Sequence, residues 1–319
     1  MLTRLTASLN LPVIGSPMFI VSGPELVIAQ CQAGILGAFP ALNARPADVL
    51  REWLQQITQT LADYDAQHPE QPSAPFAVNQ IVHPTNDRLE HDVALCAEFK
   101  VPLVITSLHA PNQVVGKVHA YGGLVFHDVT TLRHAKKAID AGVDGLILVC
   151  HGAGGHAGRL NPFAFVAEVR RFYDGPLVLA GAISKGEQIV AAQALGVDLV
   201  YMGTRFIATQ EANAQAAYKL MVLDAAAGDI VYTNLFTGVH GNYLRQSIEQ
   251  AGLDPDALPE GDKTAMRYGS GGSSKAKAWR DIWGAGQGVG AIASMHSVAE
   301  EVATLRQDYQ KALDHLRRL

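Results

Sequence analysis

Eight short apolar runs, separated by segments with helix punctuation, restrict this chain to very few architectures. They lie at 12–18, 35–39, 76–81, 102–107, 123–127, 144–150, 176–182 and 198–203. The runs are rich in Val, Ile and Leu and do not alternate with polar residues. Strands of that kind are buried on both faces, as in a parallel sheet. Pro24 suits the first turn of a helix, and Gly34 lies just past its end. Thr130 is placed to cap a helix ending before Gly142, and the helix over 185–195 ends before Gly196. A short internal echo, Ala141-Gly142-Val143-Asp144 and Leu195-Gly196-Val197-Asp198, marks two helix ends that feed buried strands. Eight strand–helix units in about 210 residues predict an α/β fold, a (β/α)8 TIM barrel. An open doubly wound sheet needs fewer strands, and no Gly-x-Gly-x-x-Gly turn follows the first strand.

The rhythm stops after Phe206. An alanine-rich helix is expected from Glu211 to about Ala227, followed by a mixed segment with Tyr232, Phe236, His240 and Tyr243. A small polar stretch, Gly269 to Lys277, comes next. The expected organisation is a barrel over 1–210, an inserted lid over 211–278, and a return segment over 279–319. That segment would end in a helix over 297–318 packed on the barrel.

Composition narrows the function classes. Apolar residues make up 48% of the 319, enough for a large core. The net charge is −5 with no basic block, which disfavours nucleic acid as a partner. The N-terminus lacks the apolar stretch of a signal peptide, and no run is long enough to span a membrane. Cys31, Cys96 and Cys150 are few and widely spaced, neither a disulfide frame nor a zinc pattern. They point to a reducing, cytoplasmic setting. The expected partner is a small-molecule substrate; monomer and homodimer are equally compatible with the sequence.

In a TIM barrel, chemistry sits at the C-terminal ends of the strands. Pro17-Met18 follows the first run, Asn79-Gln80 closes the third and His83 lies beyond it, and His109 follows the fourth. His127-Asp128 follows the fifth run. The sixth feeds Cys150-His151-Gly152-Ala153-Gly154-Gly155-His156-Ala157-Gly158. Four glycines there let backbone approach a flat ligand, and two histidines supply groups that titrate near neutral pH. Gly181-Ala182-Ile183-Ser184 and Met202-Gly203-Thr204-Arg205 follow the last two runs. Small residues at both points, with a Thr hydroxyl, predict the phosphate grip that barrels build there. A metal held by His109, His127, His151 and His156 is the rival reading. It is disfavoured because no His-x-His opens the first strand and no carboxylates accompany the histidines.

These motifs resemble the nitronate monooxygenase family, FMN-dependent barrels also called 2-nitropropane dioxygenases. The matching pieces are Ser16-Pro17-Met18, Val78-Asn79, Ala153 to Gly158, Leu179 to Ile183, Met202 to Phe206 and Trp283-Gly284-Ala285-Gly286-Gln287, in family order. The resemblance implies one FMN in the 1–210 barrel, with Met18 and Asn79 against the ring and Gly154 and Gly155 close to it. It places the phosphate on Gly181, Ala182, Met202, Gly203 and Thr204, and gives His156 the role of catalytic base. The chain departs from the family pattern in three places. Ala182 stands where Gly is common; its N–H still serves provided the position needs no positive φ. His151-Gly152 replaces an acidic residue. His127-Asp128 replaces a lysine of the quinone-reductase-like members, which makes His127 a candidate for the flavin N1–C2=O edge. The implied activity is oxidation of alkyl nitronates, with nitroalkanes as further substrates, by O2 to carbonyl compounds and nitrite. The alternative on the same fold is an NAD(P)H-dependent flavin oxidoreductase acting on quinones or enoyl thioesters.

Overall fold

The computed structural model describes residues 2–262 and 282–319. The strands in chain order are β1 (Val13–Gly15), β2 (Gly37–Pro40), β3 (Phe76–Val82), β4 (Leu103–Leu108), β5 (Leu124–Val129), β6 (Gly145–Val149), β7 (Gly155–His156), β8 (Leu177–Ala180), β9 (Leu199–Met202), β10 (Ile230–Thr233) and β11 (Gly241–Leu244). All but β7, β10 and β11 form one parallel sheet in the order β1-β9-β8-β6-β5-β4-β3-β2. Its two ends meet. Gly15 N donates to Leu36 O at 2.7 Å and Leu36 N donates to Val13 O at 3.1 Å. The result is the (β/α)8 barrel that the eight apolar runs predict.

Alternation along each strand divides the core into two layers. Ile14, Ala38, Ala77, Leu103, Ile105, Phe126, Ile147, Val178 and Leu199 form one cluster, which fills the barrel. Val13, Val78, Val104, Val125, Leu146, Leu148, Leu177 and Val200 belong to the other, shared with the surrounding helices. Each fully buried Val, Leu or Ile contributes about 1.5–3 kcal/mol, so both faces are apolar and the sequence runs are unbroken. Helix punctuation acts at the expected ends. Pro24 opens Pro24–Gln32, and Gly34, Gly142 and Gly196 take φ of 85°, 83° and 94°. The cap of Leu132–Asp140 is Thr131, whose hydroxyl accepts from His134 N at 3.2 Å. The capping role falls one residue later than Thr130, because Thr131 already has the extended backbone a cap requires.

After β9 only a four-residue helix, Thr204–Ile207, follows. The alanine-rich helix is shorter than the sequence suggests, Ala216–Asp224. β10 and β11 form an antiparallel pair, and β11 also pairs with β7, which belongs to the loop after β6. The C-terminal helix Val298–Leu316 starts at a Ser297–Glu300 capping box and packs between Gly186–Ala194 and Pro24–Gln32. It therefore stands in the eighth helix position of the barrel. A buried Arg205–Glu301 ion pair fixes it there. The stretch 263–281, with the expected lid boundary at 278 and the segment from Gly269 to Lys277, lies outside the described residues.

The seat of that helix depends on Gly186. A Cβ there would lie 2.1 Å from Tyr309 N and 2.4 Å from Leu305 O, both backbone atoms. Gly186→Ala is expected to destabilise the protein by about 1–3 kcal/mol, the usual cost of overpacking. Thermal unfolding followed by circular dichroism checks this; an unchanged Tm would show that the helices part freely.

Candidate active site

A cavity of about 1380 Å³ opens at the C-terminal end of the barrel. Its wall includes the loops after β1, β3, β4, β5, β6, β8 and β9, together with residues of the β10–β11 connection. The apolar barrel filling ends below it. At inward-facing positions near their C-terminal ends, β3, β4, β5 and β9 carry Asn79, Ser107, Asp128 and Tyr201, and all four line the cavity.

These floor groups are ordered by hydrogen bonds. Asn79 Nδ2 donates to Ser107 Oγ at 2.8 Å, and Ser107 Oγ donates to Asp128 Oδ2 at 2.6 Å. Asp128 Oδ1 and the Tyr201 hydroxyl are buried without a partner among the described residues. Burial pushes the Asp128 carboxyl up to about 7, against the opposing pull of the Ser107 bond.

His156 enters from the side. β7 holds its backbone against β11, with Gly241 opposite His156 and Asn242 opposite Gly155. Asn242 Nδ2 donates to Ala153 O at 2.6 Å and ties down the same loop. His156 Nε2 lies 3.0 Å from Thr237 Oγ1. The Thr237 proton goes to Val239 O at 2.8 Å, so Thr237 Oγ1 accepts from the imidazole. Nε2 therefore carries the ring hydrogen and Nδ1 the lone pair. Burial lowers the His156 pKa to about 4 and keeps the ring neutral at pH 7.

Four loops are knitted together beside it. Gly152 O accepts from Gln287 N at 2.9 Å and from Ala182 N at 3.3 Å, and Thr204 Oγ1 accepts from Gly286 N at 2.9 Å. Gly286 must be glycine, because a Cβ would lie 2.5 Å from Gly152 O. Gly181 has φ of 139° and Ala182 has φ of 54°. The proviso that position 182 needs no positive φ thus fails. The turn is left-handed there, and Ala182 occupies it at a cost of about 1–2 kcal/mol. The Ser184 hydroxyl, buried in this cradle, has no partner among the described residues. Among the described residues, a Cβ on Gly155 would meet no atom within 4 Å, and Gly155 lines the cavity.

Met18, Asn79, Gly154, Gly155, His156, Gly181, Ala182, Gly203 and Thr204 all line this one cavity. His127 and Met202 do not. His127 is 2% exposed, bonds Thr106 Oγ1 at 2.8 Å through Nδ1, and points into the helix layer. Burial and the neighbouring His134 lower its pKa to about 4. Met202 is 1% exposed within the same outer layer. On each strand the next residue but one from an outward position is again outward, and both residues fall on that phase. His151 is exposed, with its ring 6.4 Å from that of Tyr232. His109 sits at the rim beside His83, ring centroids 5.1 Å apart. The four histidines of the metal reading therefore do not converge.

Sequence reasoning singled out neither Asp128 and Tyr201 as ligand-facing groups nor Thr237, the partner of His156, whereas Ser184 closes the expected phosphate loop 181–184. Only Asp128 left a signal, as the neighbour of a residue chosen for the same place. Thr237 lies 81 residues from His156 and carries no motif.

The comparisons with known proteins give one family model and relatives of more than one named activity. The nitronate monooxygenase family model matches residues 3–308. A nitronate monooxygenase of Paraburkholderia phytofirmans is 27% identical, covering 96% of this chain and 94% of its own. A solved nitroalkane oxidase from Streptomyces ansochromogenes superposes with a TM-score of 0.80 at 25% identity, covering 99% of both chains. FabK from Thermotoga maritima shares the fold, with a TM-score of 0.77 at 24% identity over 99% of this chain and 97% of that one. Among the described residues, no helix is long and apolar enough to cross a membrane.

Proposed function

The chain belongs to the nitronate monooxygenase family, a flavin-dependent oxidoreductase family, and from that premise we propose that it binds FMN and oxidises alkyl nitronates with O2. The observation that carries the reading is one cavity whose lining holds both a neutral imidazole, His156, and buried oxygens lacking partners among the described residues. Ser184 Oγ and the Thr204 hydroxyl, in the cradle of Gly181, Ala182, Gly203 and Gly286, suit a phosphate. Asp128 and Tyr201 on the floor suit the polar edge of a flat heterocycle, and the open face of Gly155 leaves room for its plane. When bound, the flavin accepts electrons from substrate and delivers them to oxygen.

The chain's own residues account for the rest. Arg45, Arg133 and Arg159 line the cavity together with two carboxyl groups, Asp128 and Glu168, whereas the whole chain has 25 basic and 30 acidic residues. This local excess of positive charge draws a nitronate anion to the barrel mouth. With Nε2 committed to Thr237, His156 on the cavity wall would act as a base through Nδ1. A conjugate acid near 4 makes it a modest base, which favours preformed nitronates over neutral nitroalkanes as the faster substrates. We further assign residues beyond Ile207 that build β10 and β11 to a cap over the mouth, supported by the pairing of β11 with β7.

A second reading rests on size. Pockets for a single drug-sized ligand hold roughly 300–1,000 Å³, and this cavity exceeds that. An extended reductant such as NAD(P)H is the alternative occupant of the excess. One set of measurements tests both. Denatured protein is expected to release FMN, one per chain; release of FAD or of no flavin overturns the reading. The holoprotein is expected to be reduced anaerobically by ethyl nitronate and not by NADH. The reverse result selects the NAD(P)H-dependent oxidoreductase.

A further inference from the structure

The proposed chemistry leaves one buried titratable group on the cavity floor unused. Hydrogen bonding fixes its polarity. Asn79 donates through Nδ2 to Ser107 Oγ, so the proton of Ser107 is directed to Asp128 Oδ2. Oδ2 is therefore an acceptor, and a carboxyl proton on Asp128 sits on Oδ1. Oδ1 is buried with no partner among the described residues, and so is the Tyr201 hydroxyl from β9. An ionised Oδ1 in that place would be a buried charge with half its hydrogen bonding unmet, which is costly. As a neutral acid it is a donor without a partner among the described residues, on a residue that lines the cavity floor. Ring carbonyls of a flavin are acceptors.

We propose that Asp128 is a cofactor-holding residue that binds the flavin as a neutral acid through Oδ1, beside the Tyr201 hydroxyl, and releases its hold when it ionises. The assignment rests on the flavin reading given above. The groups around Asp128 leave it as the one that titrates on the floor near neutrality. β3 and β4 present uncharged Asn79 and Ser107. β6 sets Ile147 opposite it and Val149 on the cavity wall. Tyr201 from β9 is held well above 10 by burial and by Asp128. His156 across the cavity is neutral above about 4. His127 lies on the reverse face of the same strand, and Arg133 and His134 stand beyond its end on the cavity wall. Burial places the Asp128 carboxyl at about 7, so ionisation would occur inside the working pH range.

The test is the affinity of the protein for FMN between pH 6 and pH 8, read by quenching of flavin fluorescence. The wild-type Kd is expected to rise about tenfold over that range, the linkage of one proton with a midpoint near 7. Asp128→Asn keeps a neutral donor and is expected to bind FMN with a Kd that does not change with pH. Ser107→Ala removes the bond that favours the carboxylate, so its midpoint is expected to move upward. This second variant decides the matter if Asp128→Asn does not fold. A wild-type Kd that ignores pH, an Asp128→Asn that keeps the wild-type slope, or a Ser107→Ala midpoint that stays or falls overturns the assignment alone. No FMN binding at any pH overturns the flavin reading and this assignment with it.

Discussion

His156→Asn is expected to lower turnover of neutral nitroalkanes by about 100- to 10,000-fold, the usual worth of a positioned general base, and turnover of preformed nitronates by no more than about tenfold. The difference follows from the proton. A nitroalkane must lose a carbon-bound hydrogen before it can be oxidised, and a nitronate has already lost it. In the structure Nε2 is committed to Thr237 as donor, so Nδ1 is the nitrogen that takes the proton. Asn offers no comparable base. FMN content should be unchanged, because the phosphate cradle and floor are untouched. The pH profile gives an independent check. With a pKa of about 4, the base form is fully present above about pH 5. Nitroalkane turnover should therefore fall as pH drops through about 4 and owe no further rise to this group at higher pH. Steady-state nitrite formation from nitroethane and from ethyl nitronate measures both effects. Equal losses on the two substrates would mean that His156 orients substrate and is not the base. His151→Asn is the control, since that exposed ring lies outside the cavity wall, and it should cost little on either substrate.

Gly181→Ala is expected to weaken FMN binding by about 30-fold or more. The backbone there has φ of 139°, and a Cβ would sit 2.8 Å from His151 O. An alanine must either strain that turn by about 1–3 kcal/mol or open it. Opening it moves the Ser184 hydroxyl and the Gly152–Ala182 contact together, so the cost falls on the cradle. Ala182→Gly is the informative companion. Position 182 is already left-handed at φ 54°, and glycine relieves that strain while adding some unfolded-state entropy. Its FMN affinity should match or exceed that of the wild type. Equilibrium dialysis against FMN measures both. A Gly181→Ala protein with full affinity and an unaltered circular dichroism spectrum would show that the turn does not hold the phosphate.

The barrel was legible because burial on both faces writes each strand as an unbroken apolar run. The same property hid the site's finer assignments. An alternating strand declares which residues face in; a parallel barrel strand does not. His127 and Asp128 are neighbours, and choosing between them requires the phase of β5. The tertiary structure sets that phase by putting Phe126 inside the barrel and Val125 against the helices. His127 therefore points outward and Asp128 faces the cavity. Met202 is lost from the cavity wall for the same reason, while its neighbours Gly203 and Thr204, past the strand end, remain on it.

Glycine-rich loops and strand ends were visible because local backbone needs select residue types locally. The sequence by itself determined the strand positions, the barrel, the loops that border the cavity and the imidazole beside it. It did not determine which long-range partners complete them. Thr237 sets the His156 tautomer across 81 residues. Gly286 closes on Gly152 and Thr204 from the far end of the chain, and the C-terminal helix takes the eighth place in the barrel wall. Only the tertiary structure decided these, because side-chain phase and distant contacts depend on how the sheet closes, and closure leaves no periodicity in any single segment.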